Sequence, residues 1–342
     1  MRILAKISYY TFKSFKYVIV IFWLIGYSIR HRVSLNSLSR LNPELPNGGF
    51  CHLSKKYIYD YFTEKNAIAK KSFIHSVLIK PNSSFSSVKQ LLKSTFGDNY
   101  YIIKPDHGTR SVGVHVITAD SDLQRVLKIK DVPFIAQKYV HYPNELGIFY
   151  VRHPSWKRGK ILGIALLSFK EIIGDGKSSL TELSPNLTGA MKAYLTKTYR
   201  GLDYVPMKGQ AISLVNTADH NFNERYINRP DLINDALLAK IELIIGKRKF
   251  YFGRFDVRAE TLTDLKKGNF AIMEVNCGPD AVSLHALDPK YPLHMQLKIY
   301  INQFRHAFSI AKENAHYTKT PFFQYLWSLI KDERDVPKLK RS

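Results

Sequence analysis

Cysteine is nearly absent from this chain of 342 residues. The two cysteines, Cys51 and Cys277, are too few for a disulfide framework, and they lack the paired spacing of structural zinc sites. The sequence therefore excludes the small secreted domains that disulfides hold together, and it favours a reducing, cytosolic setting. With 45% hydrophobic residues, the chain is long and apolar enough for a globular fold of two lobes.

Acidic residues are scarce relative to basic ones, with 28 Asp and Glu against 51 Lys and Arg and a formal net charge of +23. This balance predicts an anionic partner, but a nucleotide, a polyanionic substrate, a nucleic acid and an anionic lipid all satisfy it. Many basic residues lie at the ends, from Arg2 to Arg40 and from Lys331 to Arg341. Their position favours a surface or membrane role for part of the excess charge.

The sequence lacks an apolar run long enough to cross a bilayer, which takes roughly 20 residues. The run from Tyr17 to Tyr27 is about half that length and is followed by Arg30, His31 and Arg32. An interfacial anchor on an anionic membrane surface, formed by residues 1–32, and a helix packed on the domain are both compatible with this pattern. A signal peptide is a third interpretation, but no A-x-A-like cleavage site follows the run.

The order of predicted elements indicates an α+β fold without internal repeats. A linker rich in Ser, Asn, Pro and Gly is predicted from Ser34 to Gly49, with the folded core beginning near Phe50. Helices are predicted at Ser54–Asn66 with Ser54 as N-cap, at Val88–Lys93 and at Asn234–Ile245. Strands are predicted at YYIIKP, VGVHVI, Pro133–Val140, Leu146–Arg152, Lys160–Lys170, Lys249–Glu260 and Phe270–Asn276. Hairpins near the end indicate antiparallel pairing.

Two of these strands carry polar side chains on one face. In KFYFGRFDVRAE, strand alternation places three charged residues on the same face: Arg254, Asp256 and Arg258. In FAIMEVN, the same period places Glu274 and Asn276 on one face with Ile272. Because the connection is short, the two strands are expected to pair, so that two carboxylates and an amide converge. Such an all-oxygen set suits Mg²⁺, although an ordinary surface hairpin can carry the same residues.

A loop with spaced glycines follows an apolar strand that ends in a lysine. Lys104 lies near the end of YYIIKP, and the following DHGTRSVG contains Gly108 and Gly113. Glycines let backbone N–H groups approach phosphate oxygens, and lysine is a compact cation for phosphate. The pattern indicates a phosphate-binding loop, although a β-hairpin can show the same glycines.

Together and in this order, the segments from Leu53 to Ser283 resemble the ATP-grasp superfamily, most closely its carboxylate-amine ligases of the D-alanyl-D-alanine ligase and cyanophycin synthetase types. The resemblance implies an ATP-grasp fold, in which two α+β lobes grip ATP with antiparallel sheets. It divides the chain into a basic, partly apolar arm with an N-terminal helix and a linker at 1–50, a small lobe with the phosphate-binding loop at 51–140, a large lobe with the metal site at 141–315, and a basic tail at 316–342.

The resemblance also implies roles for individual residues. LSKKYIYDYFTEKNAIAK looks like the family's lysine-containing helix, IIKPDHGTRSVGV like its phosphate-binding strand and loop, and FIAQKYVHYPNELGIFYV like the strand between the lobes, which borders adenine and ribose. The implied ATP-binding residues are Lys55, Lys56, Lys104, Gly108, Ser111, Gly113, Gln137, Lys138, Tyr139, Val140 and Glu145. RFD and EVN look like the metal site, with the ligands Asp256, Glu274 and Asn276 and with Arg254 as the catalytic residue.

The substrate is less defined by the resemblance. The segment IIGDGKSSLTEL is similar to a loop over the reacting centre of cyanophycin-type ligases, although a hairpin turn rich in Gly and Asp has the same composition. The residues predicted to contact substrate are Arg152, Lys177, Arg258 and Ser283, with structural ion pairs as the alternative for the two arginines. The chain departs from the family at CGPDA, where D-alanyl-D-alanine ligases usually have glycine after proline, and at Gln137 and Lys138, where an acidic residue is common.

The resemblance implies a ligase that uses ATP and two Mg²⁺ ions, with Mn²⁺ as a substitute, to activate a carboxylate as an acyl phosphate and join it to an amine. An amino acid or a peptide is the expected substrate, and nucleic acid is not an expected partner. Two alternatives stay open, namely a kinase on the same scaffold that phosphorylates a hydroxyl, and a basic protein that binds membrane or nucleic acid without catalysis. The expected location is cytoplasmic, with peripheral membrane association if residues 1–32 form an anchor.

Overall fold

A computed structural model describes residues 19–327 except 21, 51–52, 98–99, 109–112, 118, 169–170, 186–191, 193–194, 197–198, 200, 214–224, 279–282 and 326. Among the predicted site residues, Ser111 lies outside the described residues. The chain divides into two compact units, Met1–Leu166 with Tyr226–Ser342, and Leu167–Arg225. The predicted lobe boundaries stay a prediction.

The first unit contains a four-stranded antiparallel sheet in the order β1-β4-β2-β3. Its strands are β1 (Ser76–Ile79), β2 (Tyr101–Pro105), β3 (His115–Ile117) and β4 (Phe134–Lys138). Helices α4 (Phe85–Phe96) and α5 (Asp120–Leu127) contribute Leu92 and Leu123 to the apolar cluster that buries Ile103. This cluster leaves Lys104 at the end of a well-packed strand. We call this sheet the small sheet.

The same unit contains most of a five-stranded sheet, which we call the large sheet, in the order β11-β10-β5-β6-β9. Its strands are β5 (Asn144–Val151), β6 (Lys160–Ser168), β9 (Arg225–Asn228), β10 (Phe252–Ala259) and β11 (Ala271–Asn276), with the short helix α8 (Leu262–Lys266) between the last two. β10 pairs antiparallel with both β5 and β11. The predicted α+β class with antiparallel sheets is confirmed.

Three helices cover one face of the large sheet, and each begins at a capping side chain. They are α2 (Lys55–Thr63), α3 (Ala67–Ser72) and α7 (Asp235–Ile245), capped by Ser54, Asn66 and Asn234. Phe62 of α2 packs with Phe250 and Phe255 in this core. The predicted N-cap Ser54 is confirmed, whereas the helix predicted up to Asn66 ends at Thr63, and Asn66 caps a second helix.

The opposite face of the large sheet is apolar at one end and polar at the other. At its apolar end, Phe149 and Phe252 pack against Phe308 of α9 (Leu293–Glu313) and against Leu38. Helix α1 (residues 22–31) adds Tyr27, which stacks on Phe308 with ring centroids 5.2 Å apart. None of the described helices is long and apolar enough to cross a membrane.

The segment from Ser34 to Gly49, predicted as a linker, is folded and largely buried. It contains the 3-10 helices Leu35–Arg40 and Pro46–Gly49. Asn42 fixes the segment to the large sheet, because its Oδ1 accepts hydrogen bonds from the backbone N–H groups of Tyr251 at 2.8 Å and Phe252 at 3.1 Å. The prediction was wrong because residues that favour turns also satisfy buried backbone groups.

The second unit contains the two-stranded antiparallel sheet of β7 (Glu171–Ile173) and β8 (Ala211–Ser213) and the short helix α6 (Leu180–Leu183). In the turn after β7, Asp175 Oδ1 accepts hydrogen bonds from the backbone N–H groups of Lys177 at 2.8 Å and Ser178 at 2.7 Å. Hydrogen bonds from Ser178 and Lys177 lower the pKa of Asp175 to about 2. The structure thus contains a turn at the predicted position, with the Lys177 side chain exposed.

Candidate functional site

The polar end of the large sheet brings the predicted metal ligands together. In the β10–β11 ladder, Asp256 is the direct partner of Glu274, and Arg254 is the partner of Asn276. Arg254 binds the Asp256 carboxylate through two contacts, Nε to Oδ1 at 2.5 Å and Nη2 to Oδ2 at 2.8 Å. Asn276 Nδ2 donates to the same Oδ2 at 2.7 Å. The side chains therefore converge as the strand pattern predicted.

The prediction that Ile272 shares a face with Glu274 was wrong. The register of β10 and β11 shifts between Asp256 and Val257, and Val257 is opposite Ile272, so that Met273 is an extra residue in β11. Such a β-bulge reverses the side-chain alternation beyond it. Ile272 therefore faces the apolar core, where it is fully buried.

The bulge also connects the two sheets of the first unit. The Met273 carbonyl accepts hydrogen bonds from Lys104 Nζ at 3.4 Å and from Gln137 Nε2 at 3.1 Å, and both donors belong to the small sheet. Gln137 Nε2 also donates to Ser76 Oγ at 3.0 Å. In a regular ladder the backbone groups bind the neighbouring strand, whereas the extra residue of a bulge is unpaired and can bind side chains. Here it holds the Lys104 ammonium beside the carboxylates of the large sheet.

The Lys104 side chain is buried, and burial changes its acid–base behaviour. The pKa of Lys104 is lowered to about 8, mainly by burial, with Glu274 opposing the change and the nearby Lys55 ammonium adding to it. Burial likewise raises the pKa of Asp256 against the opposing effect of Arg254. Cations and carboxylates in this cluster thus depend on one another to stay ionised.

Helix α2 adds a second lysine to the cluster. Lys55 Nζ donates to the Gly108 carbonyl at 2.8 Å and lies 3.8 Å from Glu274 Oε1. The start of the helix is held by Asp106, whose carbonyl accepts from the Lys55 N–H at 3.0 Å and whose Oδ1 accepts from the Lys56 N–H at 2.9 Å. Lys56 Nζ instead binds Asp60 on the helix surface. Of the two predicted lysines, Lys55 therefore reaches the cluster.

The residues predicted to border the nucleotide have different environments. Gly108 and Gly113 both have positive φ, at 150° and 76°, as expected for glycines of a phosphate-binding loop. The Lys138 side chain is exposed, and the Tyr139 ring contacts His141 with centroids 4.6 Å apart. Glu145 and Val140 both bind Arg258. Of the residues implied to border adenine, only some therefore have side chains that an adenine base could contact.

Arg258 forms an ion pair within the large sheet. Its Nη2 lies 2.8 Å from Glu145 Oε2, and its Nη1 donates to the Val140 carbonyl at 3.2 Å. This is the structural ion pair that the sequence left as the alternative to a substrate contact. The pair fixes the segment that leads from the small sheet into β5.

The other predicted substrate residues of the first unit, Arg152 and Ser283, are not part of the cluster. The Arg152 guanidinium lies over the Tyr251 ring, 5.4 Å from its centroid. Arg152 follows Gly147, the partner of Asp256, by five positions in extended chain, which corresponds to roughly 17 Å. Ser283 is buried, and its hydroxyl donates to Gln303 Oε1 of α9. Lys177 belongs to the second unit.

Sequence reasoning missed Gly147, which makes room for the Arg254–Asp256 pair. Gly147 is the β5 partner of Asp256. A Cβ at this position would lie 2.9 Å from Arg254 Cδ and 3.4 Å from Asp256 Oδ1. The available signal was a glycine inside the predicted strand Leu146–Arg152, which often marks close approach of other groups.

We expect Gly147→Ala to lower both stability and activity. The new methyl group overlaps the Arg254 side chain, and overpacking of this kind costs about 1–3 kcal/mol. Denaturant unfolding measures the loss of folding free energy, and ATP turnover, the activity that the sequence resemblance implies, measures the effect of displacing the Arg254 guanidinium. Gly26→Ala is the matched control, because a Cβ at Gly26 meets no atom within 4 Å. Equal stability of the two variants would contradict the assigned role of Gly147.

A cavity of about 460 Å³ lies beside the cluster, on the same face of the large sheet. Its floor includes Phe149, the direct partner of Arg254, and its wall includes Met295, Lys298 and Gln303 of α9. His285 also lines it, and burial lowers the pKa of His285 to about 4, so this imidazole is neutral near pH 7. The cavity thus combines apolar surface with the Lys298 cation.

The residue types of the cluster fit Mg²⁺. Among the described residues, no group of three or more His, Cys, Asp and Glu is arranged to hold a metal ion. The set of Asp256, Glu274 and Asn276 has two carboxylates and an amide, and Mg²⁺ commonly takes one or two carboxylates together with water and phosphate oxygens. A half-turn of the Asn276 amide would present Oδ1 in place of the nitrogen that now faces Asp256. These three residues therefore can hold Mg²⁺ only with further ligands from phosphate or water.

Comparisons with known proteins agree with the resemblance seen in the sequence. The model of the tubulin-tyrosine ligase family matches residues 42–145, a range that includes Lys55, Lys104 and Gln137. No curated protein sequence matches the chain.

Among solved structures, the chain is similar to a bifunctional glutathione synthetase from Pasteurella multocida, with 15% identity, a TM-score of 0.43, and coverage of 73% of this chain and 36% of that chain. It is similar to the ATP-grasp ligase PsnB complexed with minimal precursor, with 11% identity, a TM-score of 0.39, and coverage of 74% and 60%. It is also similar to the VanG D-Ala:D-Ser ligase from Enterococcus faecalis, with 12% identity, a TM-score of 0.41, and coverage of 74% and 61%. The chain thus spans about a third of the length of the first protein and about three fifths of the other two. Over residues 42–145, the family match agrees with the ATP-grasp resemblance of the sequence.

Proposed function

We propose that this protein is an ATP- and Mg²⁺-dependent ligase, which activates a carboxylate as an acyl phosphate and joins it to an amine. The observation that carries the proposal is the meeting of two lysines with two carboxylates at the junction of the sheets. Lys104 Nζ is bound to the Met273 carbonyl at 3.4 Å, and Lys55 Nζ lies 3.8 Å from Glu274, the strand partner of Asp256. Cations that face oxygen ligands for Mg²⁺ are what a bound nucleoside triphosphate requires.

The two lysines have separate roles in this proposal. Lys104 projects from a rigid strand and contacts a phosphate oxygen as a buried cation, where the low dielectric strengthens its attraction for an anion. Lys55 binds the Gly108 carbonyl, so it holds the start of the glycine loop as well as facing the phosphates. Mg²⁺ held by Asp256, Glu274 and Asn276 would offset the charge of the transferring phosphoryl group. The proposal includes two Mg²⁺ ions and the use of Mn²⁺ in their place.

In the proposed reaction, a carboxylate oxygen of the substrate attacks the γ-phosphorus, and ADP leaves. The amine then attacks the carbonyl carbon of the acyl phosphate, loses a proton, and phosphate leaves to give an amide. Arg254 stabilises the oxyanion of that second step, and Asp256 orients its guanidinium through the two contacts described above. Gly147 contributes by leaving space for this pair.

The cavity beside Phe149 is proposed as the site of the acid substrate. Its position next to the partner of Arg254 brings a bound carboxylate toward the oxyanion-stabilising group. Its lining suits an acid with an apolar part and an additional anionic group for Lys298. The matched family is named for ligation of tyrosine with tubulin, which supports an amino acid or a peptide as one substrate.

Product analysis tests the proposal. The full chain is incubated with ATP, Mg²⁺ and a mixture of amino acids and short peptides, and the products are identified by mass spectrometry. We expect ADP, phosphate and a new amide, and we expect no turnover when a chelator removes Mg²⁺. A stable phosphoester product would identify a kinase instead, and salt-sensitive binding of polyanions without ATP turnover would support the non-catalytic alternative.

A further inference from the structure

Helix α1 has two apolar faces, and among the residues that the structure describes only one of these faces packs on the protein. Leu24 and Tyr27 pack against the cluster that contains Phe308. Phe22, Ile25 and Ile29 are 70%, 44% and 74% exposed. At 3.6 residues per turn, these three side chains fall within an arc of about 60°, opposite Leu24 and Tyr27. The helix is therefore attached to the core and presents a second apolar strip to its surroundings.

The segment near the end of the described chain presents a second group of exposed aromatic residues. Tyr325 anchors the segment by stacking on Phe50 with ring centroids 5.1 Å apart, and the Thr320 N–H donates to Ser39 Oγ at 2.9 Å. Around this anchor, three large apolar side chains are exposed: Phe322 at 46%, Phe323 at 83% and Trp327 at 54%. Tyr325 belongs to the apolar cluster against which Tyr27 packs, so both exposed groups are attached to the same cluster.

The sequence around α1 carries charge of one sign. Residues 1–43 contain no acidic residue, and Arg30 and Arg32 are exposed at the end of the helix. The basic residues before Glu44 are Arg2, Lys6, Lys13, Lys16, Arg30, Arg32 and Arg40. Clustered cations beside exposed apolar side chains match a surface that offers both anionic groups and an apolar interior.

We propose that Phe22, Ile25, Ile29, Phe322, Phe323 and Trp327 form a docking surface for an anionic lipid bilayer. The apolar side chains enter the boundary between head groups and acyl chains, while the arginines at the end of α1 contact anionic head groups. A second copy of the chain fits less well, because it would place like charges next to each other. None of the six residues belongs to the candidate site, so membrane docking and ATP turnover are separable properties.

Vesicle flotation of the full chain tests the docking surface. We expect binding to vesicles of phosphatidylcholine with phosphatidylglycerol, weaker binding to phosphatidylcholine alone, and weaker binding at high salt. The double variant Phe22→Ser and Ile29→Ser is expected to bind about tenfold or more weakly, because two apolar side chains no longer enter the bilayer. Gly26→Leu is expected to bind severalfold more tightly, because a Cβ at Gly26 meets no atom within 4 Å and Gly26 is an exposed residue of α1.

Leu243→Ser is the matched control, because Leu243 is 54% exposed on α7 and lies outside the docking surface. Its vesicle binding should equal that of the wild type, and thermal unfolding should show that all variants fold. Three results would overturn the proposal: no binding of the wild type to anionic vesicles, equal loss of binding in the Leu243 variant, or unchanged binding of the double variant. Dimers that the double variant abolishes, without any vesicle binding, would instead assign the surface to a second copy.

Discussion

Glu274→Gln is expected to reduce ATP turnover by about 10²–10³-fold while the protein stays folded. Glu274 is opposite Asp256 in the β10–β11 ladder and faces Lys55 at 3.8 Å, so its charge lies where the proposal requires an Mg²⁺ ligand. Glutamine keeps the shape and the strand pairing but removes the negative charge that binds the cation. The residual activity should therefore need a higher Mg²⁺ concentration, and a Mg²⁺ titration of turnover measures this shift.

Glu242→Gln is the control for this prediction. The Glu242 side chain is 22% exposed against 29% for Glu274, and it also contacts a cation, Arg158, with its Oε2 3.2 Å from Arg158 Nε. It belongs to α7, on the opposite face of the large sheet, so its neutralisation should leave turnover unchanged. If both variants lose activity equally, or if Glu274→Gln keeps the wild-type Mg²⁺ dependence, Glu274 is not a metal ligand.

The strands that carry the site were predictable because their side chains alternate regularly. The pattern in RFD placed Arg254 and Asp256 on one face, and the ladder with Glu274 and Asn276 agrees with it. Alternation failed at Ile272, because a bulge depends on how two strands pair and leaves no local composition signal in FAIMEVN. Because of that bulge, the Met273 carbonyl accepts hydrogen bonds from Lys104 and Gln137 of the small sheet. The sequence alone did not predict these two hydrogen bonds.

Long-range packing accounts for the other differences. The segment from Ser34 to Gly49 has the composition of a linker, yet Asn42 fixes it to Tyr251 and Phe252, more than two hundred residues away. The choice between an anchor and a packed helix at α1 was open because a helix can serve both roles on opposite faces. The role of Gly147 needed the positions of Arg254 and Asp256 in a neighbouring strand. In each case the missing information was the identity of the neighbour.

Lys104→Met is expected to weaken ATP binding and to stabilise the protein without ligand. A hydrogen bond to a charged group contributes about 1.5–3 kcal/mol, so loss of the ammonium should weaken ATP affinity by about 10–100-fold. In the free protein the same ammonium is buried, and its pKa falls from the ordinary 10.5 to about 8, which corresponds to a cost of up to about 3 kcal/mol near pH 7. Methionine has a similar shape and avoids this cost.

The pH dependence of unfolding separates this explanation from a change in packing. Because the pKa of Lys104 is lowered in the folded state, the unfolded chain binds more protons between about pH 8 and pH 10.5. The wild type should therefore gain stability relative to the variant as pH rises through this window, and the difference between them should shrink. Lys93→Met, which removes an exposed lysine of α4, should change neither ATP affinity nor the pH profile. A Lys104→Met protein with wild-type ATP affinity would mean that this buried cation does not contact phosphate, and the proposed position of the nucleotide would be wrong.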